Sequence, residues 1–244
     1  MSPAGEVVVV TGASSGIGLA VAQLYVARGA RIVMNGRDEG KLARAAANLG
    51  PPDRIATVPG DVGSVEVAER LVQAALDRFG RLDVVVANAG VFSMKPFDAF
   101  TPDDLASFVS TNLQGTVYLS QAAVRAWRSR KATGAIVSVT ASIALSPQRA
   151  FHATLPTAIK ASVNALTRAL ALELAPEQIR VNAVAPGIID TPLISDASSL
   201  SGAQPMGHVG KPSDVAEAVA YLAAAPFVTG VVLPVDGGMS AGRW

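Results

Sequence analysis

The sequence predicts an α/β fold, a doubly wound parallel sheet of seven strands with helices on both faces. Two observations lead there. Short apolar, β-branched runs alternate with longer segments of helical periodicity, and several of the runs are apolar at almost every position. Alternation of strand and helix means parallel strands joined by right-handed crossovers. Continuous apolar runs are what a strand needs when both faces of its sheet are covered.

The strands are expected at "VVVVT" (7–11), "RIVMN" (31–35), "IATVP" (55–59), "LDVVVAN" (82–88), "AIVSVT" (135–140), "RVNAVA" (180–185) and "VVLPV" (231–235). Between the first two, Ile17, Ala20, Val21, Leu24 and Tyr25 recur at helical spacing and predict one buried face. Further helical patterns follow Asp38, Ser64, Pro102, Pro156 and Pro212. The apolar stretch 218–234 contains Pro226, Thr229 and Gly230 and divides into a helix end, a turn and a strand rather than a membrane span. No linker, repeat or low-complexity segment interrupts residues 1–244, so a single domain is expected.

Composition narrows the function. Hydrophobic residues make up 50% of the chain and charged ones only 16%, which excludes a disordered protein. A net charge of +1 offers no electrostatic footprint for nucleic acid. The chain has no cysteine, hence no disulfide framework or thiolate metal site, and no metal centre is expected. "MSPAGEVVVV" lacks a basic region followed by a long apolar stretch, so a soluble cytoplasmic protein is expected.

The chemistry begins at "VVVVTGASSGIG", where Gly12, Gly16 and Gly18 separate a strand from a helix, with Ser14, Ser15 and Ile17 between and beside them. Glycine allows a tight turn and close backbone approach to a pyrophosphate, and the helix N-terminus offers free N–H groups. The strand–turn–helix context points to a dinucleotide rather than to packing alone. The second strand ends in "MNGRDEG": Gly36 stands where an acidic residue would bind ribose hydroxyls, and Arg37 follows. A guanidinium matches a 2′-phosphate, which favours NADP(H) over NAD(H); a solvated surface arginine is the alternative. Asp38 and Glu39 are candidates to cap the next helix.

With these residues the chain resembles the short-chain dehydrogenase/reductase family, of the single-domain type of about 250 residues. The likeness covers about residues 5 to 240: "TGASSGIG" (11–18), "GDV" (60–62), "ANAG" (87–90), "TNLQGT" (111–116), "VNAVAPGIIDTP" (181–192) and "VDGG" (235–238) all resemble family motifs, in the family's order. The resemblance implies a Rossmann-like sheet of order 3-2-1-4-5-6-7. It implies that Asp61 meets the adenine with Val62 beside it, that Asn88, Ala89, Gly90, Pro186 and Gly187 bind the cofactor, and that Ile188 and Thr191 face the nicotinamide carboxamide. It makes Asn112 part of a proton relay and Lys160 a ligand of the nicotinamide ribose. It implies a homotetramer or homodimer, with the helices after Pro102 and Pro156 at one interface, and a small-molecule substrate.

One departure is plain. The family places a tyrosine, its general acid or base, one helical turn before the lysine. Here that position holds Pro156, and the only tyrosines are Tyr25, Tyr118 and Tyr221. The family's serine matches Ser142 best, with Thr140 as runner-up; Ser138 lies mid-strand, and counting from Gly134 puts Ala141 at the serine position. Three replacements for the lost proton donor stand open: Lys160, if burial brings its pKa towards neutrality; His152, which titrates in the useful range; and the weak donors Thr154 and Thr157. Pro156 itself suits the first turn of a helix. The segment 193–207 resembles the family's mobile lid over the substrate. Met94, Phe97, Leu145 and Phe151 suggest a largely apolar pocket, and Arg149 is a candidate partner for an anionic substrate.

Overall fold

The computed structural model describes residues 5–149, 151–194 and 197–242. Seven parallel strands form one sheet: β1 (Val7–Val10), β2 (Arg31–Gly36), β3 (Ile55–Pro59), β4 (Val84–Ala87), β5 (Gly134–Val139), β6 (Ile179–Pro186) and β7 (Val232–Val235). Their order is β3-β2-β1-β4-β5-β6-β7, as the family resemblance implies. The register sets Val8 beside Ile32 on one side and Val84 on the other.

The valine run of β1 shows why near-continuous apolar strands are needed. Val8 and Val10 point into one layer, against α1 (Gly16–Ala27) and α7 (Pro212–Ala224). Val7 and Val9 point into the other, against α3 (Val65–Phe79), α5 (Gly115–Arg130) and α6 (Thr154–Leu174). Side chains alternate across a strand, so two covered faces require an apolar residue at every position. Trp127 of α5 is buried in the second layer and donates its indole N–H to the Leu82 carbonyl at 2.8 Å.

Local signals start and stop the helices. Asp38 caps α2 (Glu39–Ala47), its carboxylate accepting from the Lys41 N–H at 2.8 Å. Ser64 caps α3, and Gly80 ends it with a positive φ of 79°. Thr101 and Asp104 form a capping box at α4 (Pro102–Phe108). Between α4 and α5 the chain does not continue as an α-helix: Val109–Gln114 is π-helical and carries Asn112. Helix α6 starts at Thr154, so Pro156 sits in its first turn, as its missing N–H permits. The expected face of α1 is broader than its sequence period suggests. Val21 and Tyr25 are buried, Ile17, Ala20 and Leu24 only partly, and Ala22 and Val26 are buried because the helix is flanked by α7 as well as the sheet. The stretch 218–234 does split into the end of α7, a turn and β7, and no helix among the described residues is long and apolar enough to cross a membrane.

Candidate functional site

A cleft of about 570 Å³ opens at the carboxyl ends of the strands, where loops leave the sheet on both sides of β1. Its centre is the β1–α1 turn. Gly12 and Gly16 hold φ of +63° and +55°, a region closed to most side chains. A Cβ on Gly12 would lie 2.9 Å from the Ala89 Cα. A Cβ on Gly18 would strike the Gly12 carbonyl and lie 2.5 Å from the Asn88 Nδ2, so Gly18 serves the turn from beneath and is not part of the cleft wall. Asn88 and Ala89 fasten the neighbouring loop to this turn: both backbone N–H groups donate to the Thr11 hydroxyl at 3.0 Å, and the Asn88 amide donates to the Thr11 carbonyl at 2.8 Å. Ser15 is the N-cap of α1, but its side chain makes no capping bond. The first-turn N–H groups of α1 therefore face the cleft beside Ser14, Ser15 and Ile17 without an intrahelical acceptor. That is a fit for the phosphates of a dinucleotide.

Towards β2 and β3 the wall becomes charged, with Arg37, Asp38 and Lys41. Gly36 is buried, and a Cβ there would be 3.2 Å from the Ser14 Oγ, so glycine lets the strand end lie close against the glycine turn. Arg37 is exposed and makes no ion pair among the described residues. Asp38 is occupied in capping α2. Val62 lines the cleft; Asp61 is exposed and outside the lining, its carboxylate accepting from the Gly63 N–H at 2.9 Å.

Towards β5 and β6 the wall carries the remaining candidates. Lys160 enters from α6 and donates to the Val139 carbonyl, the end of β5, at 2.8 Å. Burial lowers its pKa from the ordinary lysine value to about 8. A Cβ on Gly90 would lie 3.4 Å from the Lys160 Nζ and 2.9 Å from the Asn112 Oδ1, so glycine lets the three groups converge. Asn112 is buried behind the wall. Its Oδ1 accepts from the Val91 N–H at 2.9 Å and its Nδ2 donates to the Val91 carbonyl at 3.0 Å, which pins the loop after β4. Ser142 lines the cleft and is 1% exposed; its hydroxyl donates to the Met239 thioether sulfur at 3.7 Å, a weak acceptor. Thr140 also lines the cleft, but its hydroxyl is tied to the Val184 carbonyl at 3.1 Å. Ser138 is buried within β5.

Pro156 is buried and lines this same end, one helical turn before Lys160. His152 is not brought to the site. Its side chain is exposed and outside the lining, and its carbonyl accepts from the Lys95 N–H at 2.8 Å. Thr154 and Thr157 are likewise absent from the lining. Among the described lining residues there is no tyrosine: Tyr25 is in the core, Tyr118 packs against the second layer, and Tyr221 is exposed.

The end of β6 and the segment after it border the cleft with Pro186, then Gly187, Ile188 and Thr191. A residue not singled out in the sequence organises it. Gln204 is 2% exposed and donates to the carbonyls of Ile188 and His208, each at 3.1 Å. Met239, buried against Ser142, is a second such residue. Of the segment 193–207 that resembles the family's lid, positions 195 and 196 lie outside the described residues, and the rest includes a short 3-10 helix, Ala197–Ala203, followed by the buried Gln204. Of the expected apolar wall, Met94 and Phe151 line the cleft, whereas Phe97 is 68% exposed and neither Phe97 nor Leu145 is in the lining. Arg149 is exposed and also outside it.

Known proteins resemble this chain along nearly its full length. The enoyl-(acyl carrier protein) reductase family model matches residues 12–240. The chain is 39% identical to cis-4-hydroxycyclohexanecarboxylate dehydrogenase of Sinomonas cyclohexanicum, over 97% of each chain. It is 37% identical to 3beta-hydroxysteroid dehydrogenase 1 of Eggerthella lenta, over 97% of this chain and 94% of that one. Among solved structures, the 3-ketoacyl-(acyl-carrier-protein) reductase of Brucella melitensis complexed with NADH superposes with a TM-score of 0.90 at 32% identity, over 97% of this chain and 99% of that one. A glycine turn, a seven-stranded sheet and relatives alike along nearly their full length agree: the chain belongs to the short-chain dehydrogenase/reductase family, whose members bind a nicotinamide cofactor and include dehydrogenases and reductases.

Proposed function

We propose that this protein is an oxidoreductase that interconverts a small carbonyl compound and its alcohol with NADP(H) in preference to NAD(H), and that it moves the proton without a tyrosine. The observation that carries this reading is Lys160: its ammonium stands in the same cleft as the glycine turn, beside Gly90, with its pKa lowered to about 8. Pro156 takes the position where the family has tyrosine. The domain responsible is the whole chain, residues 1–244.

The residues present suit a nicotinamide dinucleotide, which when bound supplies or accepts the hydride. The α1 first turn, with Gly12, Gly16 and Gly18 shaping it, holds the pyrophosphate. Arg37 holds the 2′-phosphate, supported by its place in the lining beside Gly36 and its lack of an ion pair among the described residues. Asp61 and Val62 bound the adenine, Asn88, Ala89 and Gly90 flank the ribose, and Pro186, Gly187, Ile188 and Thr191 border the nicotinamide. The Ser142 hydroxyl, held only by a thioether, is available to donate to a substrate oxygen as negative charge grows there. Lys160 is the proton donor in reduction and the acceptor in oxidation. His152 does not fill this role, because its side chain is outside the cleft. Asn112 positions the wall through Val91. Since the donor is the ammonium form, reduction slows as pH rises through about 8.

A second reading has its own observation. Pro156 is buried in the wall where the family's acid would stand, which supports a cofactor-binding regulatory or complex-forming protein, or a non-redox enzyme on the same fold. A homotetramer or homodimer in the cytoplasm accompanies either reading; Leu105 of α4 and Leu172 of α6, 43% and 81% exposed, support an interface there. Light scattering that finds a monomer at working concentration would remove that part.

The deciding experiment follows NADPH and NADH binding by nicotinamide fluorescence, then oxidation of the bound NADPH against a ketone panel. The expected result is tighter binding of NADPH, turnover, and its loss in Lys160→Met. Arg37→Ala is expected to weaken NADPH roughly tenfold and NADH little, as befits losing one charged hydrogen bond. Tight binding with no turnover transfers the conclusion to the second reading.

A further inference from the structure

The cleft has two chemically different ends. The β2–β3 end carries Arg37, Asp38 and Lys41. At the other end Lys160 is the one charged residue among the described lining residues. The walls there are Phe92 and Met94 after β4, Ile143 and Phe151 after β5, Leu193 after β6, and Met239. Phe92, Ile143, Phe151 and Met239 pack together in one cluster outside the two main core layers, so the apolar surface is continuous. Set into it is the Ser142 hydroxyl, 1% exposed, with a sulfur as its partner.

The charges nearest this end are already used or face elsewhere. Lys95, next to Met94, donates to both carboxylate oxygens of Asp104, at 2.7 and 2.9 Å. Arg149 and His152 are exposed and outside the lining. A carboxylate or phosphate carried into the chamber would shed its water and meet no cation except Lys160, which is held against Val139 and the reacting position. An apolar group would gain by burial against the aromatic and aliphatic walls.

We infer that the substrate end takes an uncharged carbonyl compound or secondary alcohol with an apolar ring or chain, and discriminates against organic anions. The inference rests on the oxidoreductase reading for the words carbonyl and alcohol; the preference for a neutral, apolar ligand does not depend on turnover.

The test uses a pair that differs in charge and by one methyl group, methyl 4-oxocyclohexanecarboxylate and 4-oxocyclohexanecarboxylate, with the neutral 4-oxocyclohexanecarboxamide, which lacks the methyl, expected to side with the ester. Binding to the protein in saturating NADPH is measured by calorimetry, and reduction is followed separately. The ester is expected to bind at least about tenfold more tightly than the acid, since the chamber offers the anion no cation besides Lys160, which is already held by the Val139 carbonyl, to offset its desolvation. A cation placed at the mouth, in Met94→Lys or Leu193→Lys, is expected to narrow that gap by tightening the acid. Both positions are exposed, at 47% and 56%, so these variants test the chamber without disturbing the core. Equal or tighter binding of the acid by the wild type overturns the inference, and so does failure of both ligands to bind at millimolar concentration. An ester that binds selectively but is not reduced upholds the inference and overturns the oxidoreductase reading instead.

Discussion

Helices α1 and α6 both turn their first residues towards the cleft, but they contribute in different ways. Helix α1 opens with Gly16 and an uncapped turn, and it presents backbone N–H groups. Helix α6 opens at Thr154 after Ala153, also without a side-chain cap, but Pro156 removes one N–H and fills the wall with a ring that has no proton to give. The first helix meets the cleft with its backbone, so its requirement is space and conformation, which several glycines meet together. The second meets it with side chains one turn apart, so a single residue changes what is presented there. Among the described lining residues Lys160 is the titratable group of that half.

The contrast is most directly broken by Pro156→Tyr, which puts a phenol one turn before Lys160. Carbonyl reduction is expected to rise by about 10²–10⁴-fold, the usual contribution of a positioned general acid. Steady-state rates over a ketone panel measure it; no rise with NADPH binding intact would mean that Ser142 and Lys160 are not arranged around that position. Next in size is Gly18→Ala at the other helix. The new methyl meets the Gly12 carbonyl and the Asn88 amide, so a stability loss of about 1–3 kcal/mol is expected in urea unfolding, together with weaker dinucleotide binding. An alanine variant as stable as the wild type refutes the close packing of that turn.

A smaller effect sharpens the electrical side of the comparison. The folded protein lowers the Lys160 pKa to about 8 from 10.5. Below pH 8 the buried ammonium costs stability; between about pH 8 and 10.5 the folded chain has given up a proton that the unfolded chain still holds. Stability relative to Lys160→Met is therefore expected to rise with pH across that window, a trend that paired melting curves read. A flat difference means that the lysine is as well solvated as in the unfolded chain. The smallest effect lies at the far side of α1. The Tyr25 phenol is buried, its hydroxyl has no hydrogen-bond partner among the described residues, and burial raises its pKa. Tyr25→Phe is expected to leave stability within about 1 kcal/mol, and to leave NADPH binding unchanged.

How legible each half was follows from the same physics. The strands were readable because two covered faces force apolar runs such as "VVVV", and the glycine turn because its conformation demands particular residues. Their order was readable only through the family resemblance, since strand pairing joins residues far apart in the chain. The start of α6 was read late because Ala153 is not a capping residue and Pro156 was the nearest visible signal. The π-helical stretch at Val109–Gln114 has no side-chain signature; it brings Asn112 opposite Val91, 21 positions away. Met239 and Gln204 escaped for a similar reason. The Met239 contact with Ser142 spans 97 positions, and the sequence around Gln204 looks like an ordinary polar loop. His152 was attractive by residue type alone, but the chain after β5 leaves it exposed and outside the cleft.

The bond from Lys160 to the Val139 carbonyl has a consequence for the rhythm of catalysis. A neutral amine retains two N–H bonds, so one of them continues to hold that carbonyl after the proton has left. The bond to the backbone is therefore compatible with either charge state of the amine. If the proposed turnover uses this lysine, its proton can come and go without the side chain letting go of the strand end that holds it.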